Sequence, residues 1–227
     1  MPEMEIIARI HTQLPEKFGV PRQSGLVSQL RGEIVFEPAY RNVDAVRGLE
    51  GFSHIWLIWQ FDRAVRNTWS PTVRPPRLGG NTRMGVFATR SPFRPNAIGL
   101  SAVQLEKVEL HPQLGPVLHV LGADLVDGTP IFDIKPYLPY ADSYPHSKGG
   151  WTDELPENKT LQVVFPEKLL ENIPSQERQG LLGVLASDPR PRYQDDAKRV
   201  YGLAFGGYNV KFTVCGEKLT VCAVEEA

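Results

Sequence analysis

Residues 85–101 read GVFATRSPFRPNAIGLS, and we take this stretch as the one around which the chain is organised. Both of its ends, residues 86–88 and 98–103, are apolar and β-prone, which predicts a strand on each side of a loop. Pro92 and Pro95 fix φ inside that loop, and each pushes the preceding residue into extended geometry. The loop is therefore stiff and indicates a binding site. It holds in place more polar side chains than a plain connection needs: Thr89, Arg90, Ser91, Arg94 and Asn96.

Positive charge is concentrated around this loop. Residues 63–94 contain seven arginines and no lysine, aspartate or glutamate, so this window carries +7, whereas the whole chain carries a formal net charge of −1 and the remainder −8. Charge segregated in this way is typical of proteins that bind an anionic partner. The use of arginine alone favours planar, bidentate contacts with phosphate or carboxylate. The alternative is that these arginines pair with carboxylates elsewhere in the chain.

The composition predicts a mainly β fold. A chain of 227 residues is long enough for one large domain or for one domain with a small appendage. Its 20 glycines and 20 prolines favour many turns and short strands over a helical bundle. No Gly-x-Gly-x-x-Gly motif occurs, and strands do not alternate with helices, so a doubly wound nucleotide-binding fold is disfavoured.

Targeting signals and metal-ligand spacings are not evident. Glu3, Glu5 and Arg9 interrupt the first twenty residues, and no apolar run approaches the length of a membrane span. Cys215 and Cys222 fall in one predicted hairpin but face different partners, so we expect no disulfide and a reducing, cytoplasmic location. The five histidines show no ligand spacing, and we expect no metal site.

The order of predicted elements suggests two parts. We predict strands at residues 5–12, 32–37, 52–62, 98–108 and 117–121, and a helical turn at 43–49. A polar segment follows, and the chain resumes with a strand at 161–165, a helix at 166–172, a second helix capped by Ser175, and strands at 200–205, 209–215 and 218–224. We therefore expect a first domain over residues 1–142, a linker over 143–160 and a small α+β domain over 161–227.

The stretch Thr89–Ser101, read as TRSPFRPNxIGLS, resembles the signature of the TrmO family (also called YaeB or TsaA-like). Members of that family are S-adenosylmethionine-dependent methyltransferases that act on N6-threonylcarbamoyladenosine beside the anticodon of tRNA. The resemblance runs over most of the chain. It implies an N-terminal β-barrel of the non-Rossmann type, S-adenosyl-L-methionine as cofactor and tRNA as partner. Because the family's cofactor pocket lies near a two-fold contact, it also implies a homodimer.

The resemblance places cofactor contacts on four parts of the chain. From the residues alone, 18–25 is a glycine- and proline-rich turn, 60–62 is the polar end of a buried strand, and Asp127-Gly128 is a tight-turn signal. The residues implied as cofactor contacts are Pro21, Arg22, Gln23, Gln60, Phe61, Arg90, Leu100, Asp127, Gly128, Thr129 and Pro130.

The Asp133-Ile-Lys-Pro-Tyr137 element borders the active site in the resembling family. Asp133 and Lys135 share one face of a predicted strand, and from the residues alone a cross-strand surface pair is the alternative interpretation. The implied acceptor nitrogen carries a proton, and arginine cannot act as a base. We therefore predict Asp133 or Tyr137 for proton transfer. For substrate positioning we predict Arg94, Asn96 and Lys135.

The predicted tRNA contacts are arginines in two proline-braced loops: Arg74 and Arg77 in the first, and Arg190 and Arg192 in the second, which matches an Asp-Pro-Arg-Pro-x-Tyr element of the family. Two other functions stay open. One is a non-catalytic RNA-binding β-barrel that uses the arginine loop alone. The other is a methyltransferase for a small anionic metabolite, for which residues 150–227 would be dispensable.

Overall fold

The computed structural model describes residues 4–63, 68–155, 160–190 and 196–227. Short 3₁₀ helices connect several of the elements within these ranges. The α-helices are α1 Pro139–Asp142, α2 Glu167–Leu170 and α3 Ser175–Ala186. The strands are β1 Ala8–Thr12, β2 Arg31–Phe36, β3 His54–Gln60, β4 Thr72–Val73, β5 Met84–Gly85, β6 Ile98–His111, β7 Gly115–Leu121, β8 Thr129–Pro136, β9 Gln162–Val164, β10 Tyr201–Phe205, β11 Tyr208–Cys215 and β12 Lys218–Glu226.

Six strands close into a barrel in the order β1-β2-β7-β6-β3-β8. The predicted mainly β class with an N-terminal barrel is thereby confirmed. Strand β3 shows why the sequence folds this way. Ile55, Leu57 and Trp59 alternate into the barrel core, while Trp56 and Ile58 point outward. The outward Trp56 is half-buried, and its indole N–H donates to Asp142 in α1 at 3.0 Å.

Strand β8 contains a bulge that sets the direction of its side chains. Ile58 of β3 pairs with Asp133, but the next residue, Trp59, pairs with Ile131, so Phe132 is the extra residue. One extra residue reverses the alternation of a strand beyond it. Ile131 and Ile134 both contact the barrel core, and Asp133 points outward.

The C-terminal part forms a second sheet in the order β10-β11-β12-β9, with β9 parallel to β12 and the other pairs antiparallel. Helix α3 covers it through Leu181, Val184 and Leu185, all buried. The predicted cap on α3 is wrong. The helix already begins at Ser175, Pro174 occupies the N-cap position, and no side-chain hydrogen bond caps the helix, so Ser175 supplies a helical residue and no cap.

The second core draws on residues from both ends of the chain. Leu14, Val27 and Leu30, from the connection between β1 and β2, are buried with α3 and the second sheet. Phe18 and Val20 pack against the same cluster. The division into residues 1–142 and 161–227 stays a prediction, and the segment between β1 and β2 is supported by both parts.

The signature stretch differs from its prediction at one end. Residues Val86–Ala88 form a 3₁₀ helix, and the expected strand there is wrong. The strand pairing ends just before it, in a two-residue ladder that joins Thr72 to Gly85 and Val73 to Met84. At the other end, β6 begins at Ile98 as predicted.

Both cysteines are free thiols, and both are exposed. Cys215 lies opposite Lys218, as the predicted hairpin requires. A register shift between Lys211 and Phe212 places Lys211 opposite Ala223, so Cys222 has no direct partner across the ladder. The described residues include no helix of the length and apolarity that crossing a membrane requires.

Candidate functional site

A cavity of about 470 Å³ opens at the end of the barrel where β3 ends and where β6 and β8 begin. Its lining residues come from four separate segments, which lie between residues 17–23, 59–63, 90–100 and 124–129. The barrel topology brings these segments together, because β6 and β8 both run antiparallel to β3 and so start at the end where β3 finishes. We call this space the end cavity.

Most of the residues that the resemblance placed in a cofactor site surround the end cavity. Those that line it are Pro21, Arg22, Gln23, Phe61, Arg90, Leu100 and Thr129. Arg90 donates a hydrogen bond to the side-chain oxygen of Gln23, which joins the signature loop to the loop between β1 and β2. Arg94, predicted for substrate positioning, also lines the cavity.

Asp127, Gly128 and Pro130 support the cavity wall but do not line it. The Asp127 carboxylate accepts the backbone N–H of Thr12 at 3.0 Å. Gly128 has a φ of 77° and donates its backbone N–H to Ile10 at 2.8 Å, so the turn needs glycine there. Pro130 is buried and lies opposite Arg9 of β1.

The turn at Asp127-Gly128 presents Thr129 to the cavity. Gln60, the remaining predicted contact, points outward at the end of β3, where it pairs with Ile98.

A chain of hydrogen bonds forms the floor of the cavity, and the sequence did not predict it. The indole N–H of Trp59 donates to the Ser101 hydroxyl at 3.0 Å, and that hydroxyl donates to the Asp124 carboxylate at 2.6 Å. Phe61 packs on Trp59 with ring centroids 4.2 Å apart. Gly99 makes room for this arrangement, because a Cβ there would lie 2.2 Å from the Trp59 ring.

Asp124 is the acidic member of this floor. Burial raises the pKa of its carboxyl above the ordinary value of 3.8, and the hydrogen bond from Ser101 and the positive charge of Arg90 act in the opposite direction. A carboxylate held in a partly desolvated cavity with basic neighbours is a typical feature of a functional site. The signal in the sequence was a single acid within the apolar run Ala123–Val126.

The arginines of the signature region donate mainly to neutral oxygen atoms. Arg94 donates to the backbone carbonyl of Ser91 at 2.9 Å, to that of Val86 at 3.2 Å and also to that of Thr89, so it holds the signature loop closed. Arg63 donates to the carbonyl of Asp127 at 2.6 Å. None of these partners of Arg63 and Arg94 carries a negative charge. The sequence left open that Arg94 pairs with a carboxylate, but the hydrogen bonds of Arg94 go to backbone carbonyls instead.

Asp133, Lys135 and Tyr137 lie on the outer wall of the barrel and do not line the end cavity. Asp133 and Lys135 form an ion pair at 2.8 Å on the surface, within one strand and not across two strands. The Tyr137 ring packs on Trp56 with centroids 5.6 Å apart. The cause of this placement is the bulge at Phe132, which turns Asp133 outward.

The distance between this outer group and the cavity is nevertheless short. Leu100, Ile58 and Asp133 form one row across the paired strands β6, β3 and β8. Neighbouring strands lie about 4.8 Å apart, so Asp133 is roughly 10 Å from Leu100 at the cavity edge. Asn96, predicted for substrate positioning, is exposed in the turn that precedes β6.

The predicted tRNA contacts are in different environments. Arg74 is exposed, and Arg77 is half-buried in the 3₁₀ helix Pro76–Leu78. Arg190 makes a two-pronged ion pair with Asp188 at 2.8 and 3.0 Å, and its side chain is only 9% exposed. The Asp188 carboxylate raises the pKa of Arg190, and a tRNA contact at Arg190 stays a prediction. Arg192 lies outside the described residues.

A second cleft of about 690 Å³ lies between the barrel and α3, and its lining includes none of the predicted site residues. His11, Glu33, His119 and Glu177 contribute to it. Burial raises the pKa of the Glu177 carboxyl. Over the described ranges, no three His, Cys, Asp or Glu side chains are grouped so that they could hold a metal ion.

Comparison with known proteins gives matches along the whole chain. Residues 9–143 match the tRNA-methyltransferase O N-terminal domain, and residues 158–227 match the TrmO C-terminal domain. The chain is 42% identical to the tRNA (adenine(37)-N6)-methyltransferase of Escherichia coli K12, over 98% of this chain and 97% of that protein. It is 40% identical to a Pseudomonas aeruginosa protein named as a candidate S-adenosylmethionine-dependent methyltransferase, over 87% of this chain and 86% of that one.

Among solved structures, that of TrmO from Pseudomonas aeruginosa superposes with a TM-score of 0.79 at 31% identity. The match covers 99% of this chain and 98% of that chain. The end cavity, the barrel and the second sheet therefore lie in a region of shared fold.

Proposed function

Because the chain belongs to the tRNA-methyltransferase O family, we propose that it transfers a methyl group from S-adenosyl-L-methionine to N6 of adenine 37 in tRNA, beside the anticodon. The acceptor in this proposal is adenine that already carries the N6-threonylcarbamoyl group. The observation that carries the proposal is the end cavity, with its aromatic floor, its single deep carboxylate and its arginine-rich edge. The two free cysteines are consistent with the proposed cytoplasmic location.

The residues of the end cavity fit the proposed cofactor. A volume of about 470 Å³ lies within the range of about 300–1,000 Å³ that small-molecule sites show. S-adenosylmethionine has a cationic sulfonium, an ammonium, a carboxylate and an adenine ring. Asp124 suits a cationic group, Arg90 suits a carboxylate, and the pair Trp59 and Phe61 offers aromatic surface.

The role of the protein in this reaction is largely to position groups. The cofactor supplies an electrophilic methyl group on a sulfonium when bound. Methyl transfer needs the acceptor nitrogen close to that methyl and in line with it, and holding both groups in place supplies a large part of the catalysis. Arg94 keeps the signature loop in one shape, and Gln23 keeps Arg90 beside the cavity. The floor from Trp59 to Asp124 is fixed by its own hydrogen bonds.

The acceptor nitrogen must also lose its proton, and Asp133 and Tyr137 stay our candidates for that step. Their support is the row of residues that leads from Leu100 across the outer wall to Asp133. Asp133→Asn tests the assignment, with methylation rate and tRNA affinity as readouts. A rate close to that of the wild type, with normal tRNA binding, would exclude Asp133 as the base.

The same outer wall supports the proposed homodimer. Trp56, Ile58 and Tyr137 give it an apolar centre, and Leu100 at the cavity edge is 51% exposed. A second copy on this wall would cover apolar surface next to the cavity. Light scattering on the purified protein tests this, since a monomer at micromolar concentration would contradict it.

The decisive experiment is mass spectrometry of tRNA nucleosides after incubation of the purified protein with S-adenosylmethionine and tRNA. We expect a gain of one methyl group on N6-threonylcarbamoyladenosine. In parallel, calorimetry with S-adenosylmethionine separates this function from that of a non-catalytic RNA-binding barrel, which would not bind the cofactor stoichiometrically. Methylation of tRNA that lacks the threonylcarbamoyl group would contradict the finer part of the proposal.

A further inference from the structure

Two aromatic rings stand out of the arginine-rich loop beside the end cavity. Trp69 is 50% exposed and Phe87 is 76% exposed. Their ring centroids are 6.2 Å apart and their planes are inclined by only 24°, so the two rings are nearly parallel and stack on each other. We call Trp69 and Phe87 the aromatic pair. Neither ring contributes to the barrel core or to the second core.

The backbone around the aromatic pair is held firmly, so the exposure of the rings is built into the fold. Val86, next to Phe87, is buried, and its carbonyl accepts hydrogen bonds from Thr89 and Arg94. On the other side of Phe87, the carbonyl of Ala88 accepts the indole N–H of Trp151 at 2.9 Å.

The segment that carries Trp69 is joined to the same framework. The backbone N–H of Val86 donates to the backbone carbonyl of Pro71 at 3.0 Å, and the neighbouring residues Thr72 and Gly85 form the first pair of the β4–β5 ladder. Both rings therefore lie close to a paired segment, although neither belongs to it.

The stretch of chain that carries the aromatic pair is positively charged. The described part of residues 63–94 contains no acidic side chain, and Arg74 and Arg83 flank the paired segment. Arg83 donates to the neutral hydroxyl of Thr72, which leaves its charge available to an anion. Flat aromatic surface next to arginines is the combination that binds single-stranded nucleic acid, since bases stack on the rings while phosphates meet the cations.

The aromatic pair lies close to the end cavity. Phe87 precedes Arg90, which lines the end cavity, by three residues, so their Cα atoms lie within about 11 Å of each other. We propose that the aromatic pair is a stacking platform for an unpaired base of the tRNA anticodon loop, close to the adenine that is methylated. This inference rests on the proposed function, because it needs tRNA as the substrate.

The test is Phe87→Ala in the full chain, with an RNA stem–loop that carries the anticodon loop and a fully paired RNA duplex as ligands. Stacking is lost in the variant, so we expect the stem–loop dissociation constant to rise about tenfold, and duplex affinity to stay unchanged. Stacking releases no counterions, so the slope of log affinity against log salt should also stay unchanged. Arg83→Gln should instead lower that slope by about 0.7 to 0.9.

Three controls make the result specific. Phe87→Trp keeps a ring and should restore stem–loop affinity. Leu110→Ala removes a side chain that is 61% exposed at the far end of β6, and it should change nothing. S-adenosylmethionine affinity and melting temperature should equal those of the wild type in all variants.

Unchanged stem–loop affinity in Phe87→Ala, or an equal loss for stem–loop and duplex, would overturn the inference. A change of oligomeric state in Phe87→Ala would also overturn it, since the rings would then belong to a contact between copies. A wild-type protein that neither binds S-adenosylmethionine nor methylates tRNA would refute the proposed function, and that result is distinct from a failure of the platform alone.

Discussion

Asp124 places a carboxyl group in a cavity whose other charged side chains are mainly arginines. If it faces the sulfonium, Asp124→Asn should weaken the binding of S-adenosylmethionine by about tenfold or more, because opposite unit charges about 4 Å apart attract each other by about 4 kcal/mol at an effective dielectric constant of about 20, before desolvation is subtracted. S-adenosylhomocysteine has a neutral sulfur and should lose much less. Calorimetry with both ligands measures the ratio. Ser101→Ala, which keeps the charge, is the control, and equal losses for the two ligands in Asp124→Asn would contradict the assignment.

The same residue makes the stability of the protein depend on pH. Because burial raises the pKa of Asp124, its contribution to stability is complete below the ordinary value of 3.8 and is lost as the pH rises through the raised value. Because the asparagine side chain does not ionise, the Asp124→Asn variant does not lose this stability as the pH rises. We therefore expect the variant to melt at the same temperature as the wild type or higher at neutral pH, with an advantage that shrinks towards acid. Thermal denaturation of both proteins between acid and neutral pH tests this prediction. A melting-temperature advantage of Asp124→Asn that grows as the pH falls would refute it.

Gly99 is the residue that allows Trp59 to lie flat on the floor of the cavity. A Cβ at Gly99 would come within 2.2 Å of the Trp59 ring, so Gly99→Ala must displace the ring and its hydrogen bond to Ser101. We expect a loss of about 1–3 kcal/mol in the free energy of unfolding and weaker cofactor binding. Gly51→Ala is the matched control, because nothing lies within 4 Å of a Cβ there. Denaturant titration should separate the two variants.

At the scale of an element, the shape of the signature loop depends on one side chain. Arg94 donates to three backbone carbonyls of the loop, and a lysine has no planar fork with which to replace these contacts. Arg94→Lys should therefore weaken S-adenosylmethionine and tRNA binding together, although the charge is kept. Arg83→Lys, which replaces a single bond to Thr72, should have little effect on the cofactor. Normal cofactor affinity in Arg94→Lys would show that the prolines alone are enough to fix the loop.

The elements that the sequence predicted well are those with local causes. The buried strand β3, the turn at Asp127-Gly128 and the start of β6 follow from alternation and from turn residues. The alternation of Asp133 and Lys135 with Ile134 allowed a surface pair, but the sequence could not show that Ile131 and Asp133 face opposite sides, because that depends on a bulge against a partner strand distant in sequence. Asp124 was missed for a similar reason: it lies in the connection between β7 and β8, its partner Ser101 lies on β6, and only the closed barrel brings them together.

At the scale of the whole molecule, the C-terminal part packs against the loop between β1 and β2, which forms one wall of the end cavity. Phe18 and Val20, in the loop that carries Pro21 and Gln23, pack on the second core. A Cβ at Gly19 would lie 2.3 Å from Leu203 of β10, so that loop and the second sheet are in close contact. The function in which residues 150–227 are dispensable is therefore disfavoured.

This contact leads to a prediction about cofactor affinity at a distance from the cavity. Leu203→Ala removes a buried side chain beside Gly19, and Leu219→Ala removes an equally buried one from β12 of the same core. Both should cost about 2–5 kcal/mol in the free energy of unfolding. Only Leu203→Ala should also weaken S-adenosylmethionine binding. Of the two substitutions, only this one leaves an empty space directly under the loop between β1 and β2. Calorimetry at a temperature where both variants are folded decides the matter, and equal affinities would mean that the loop keeps its shape without the second sheet.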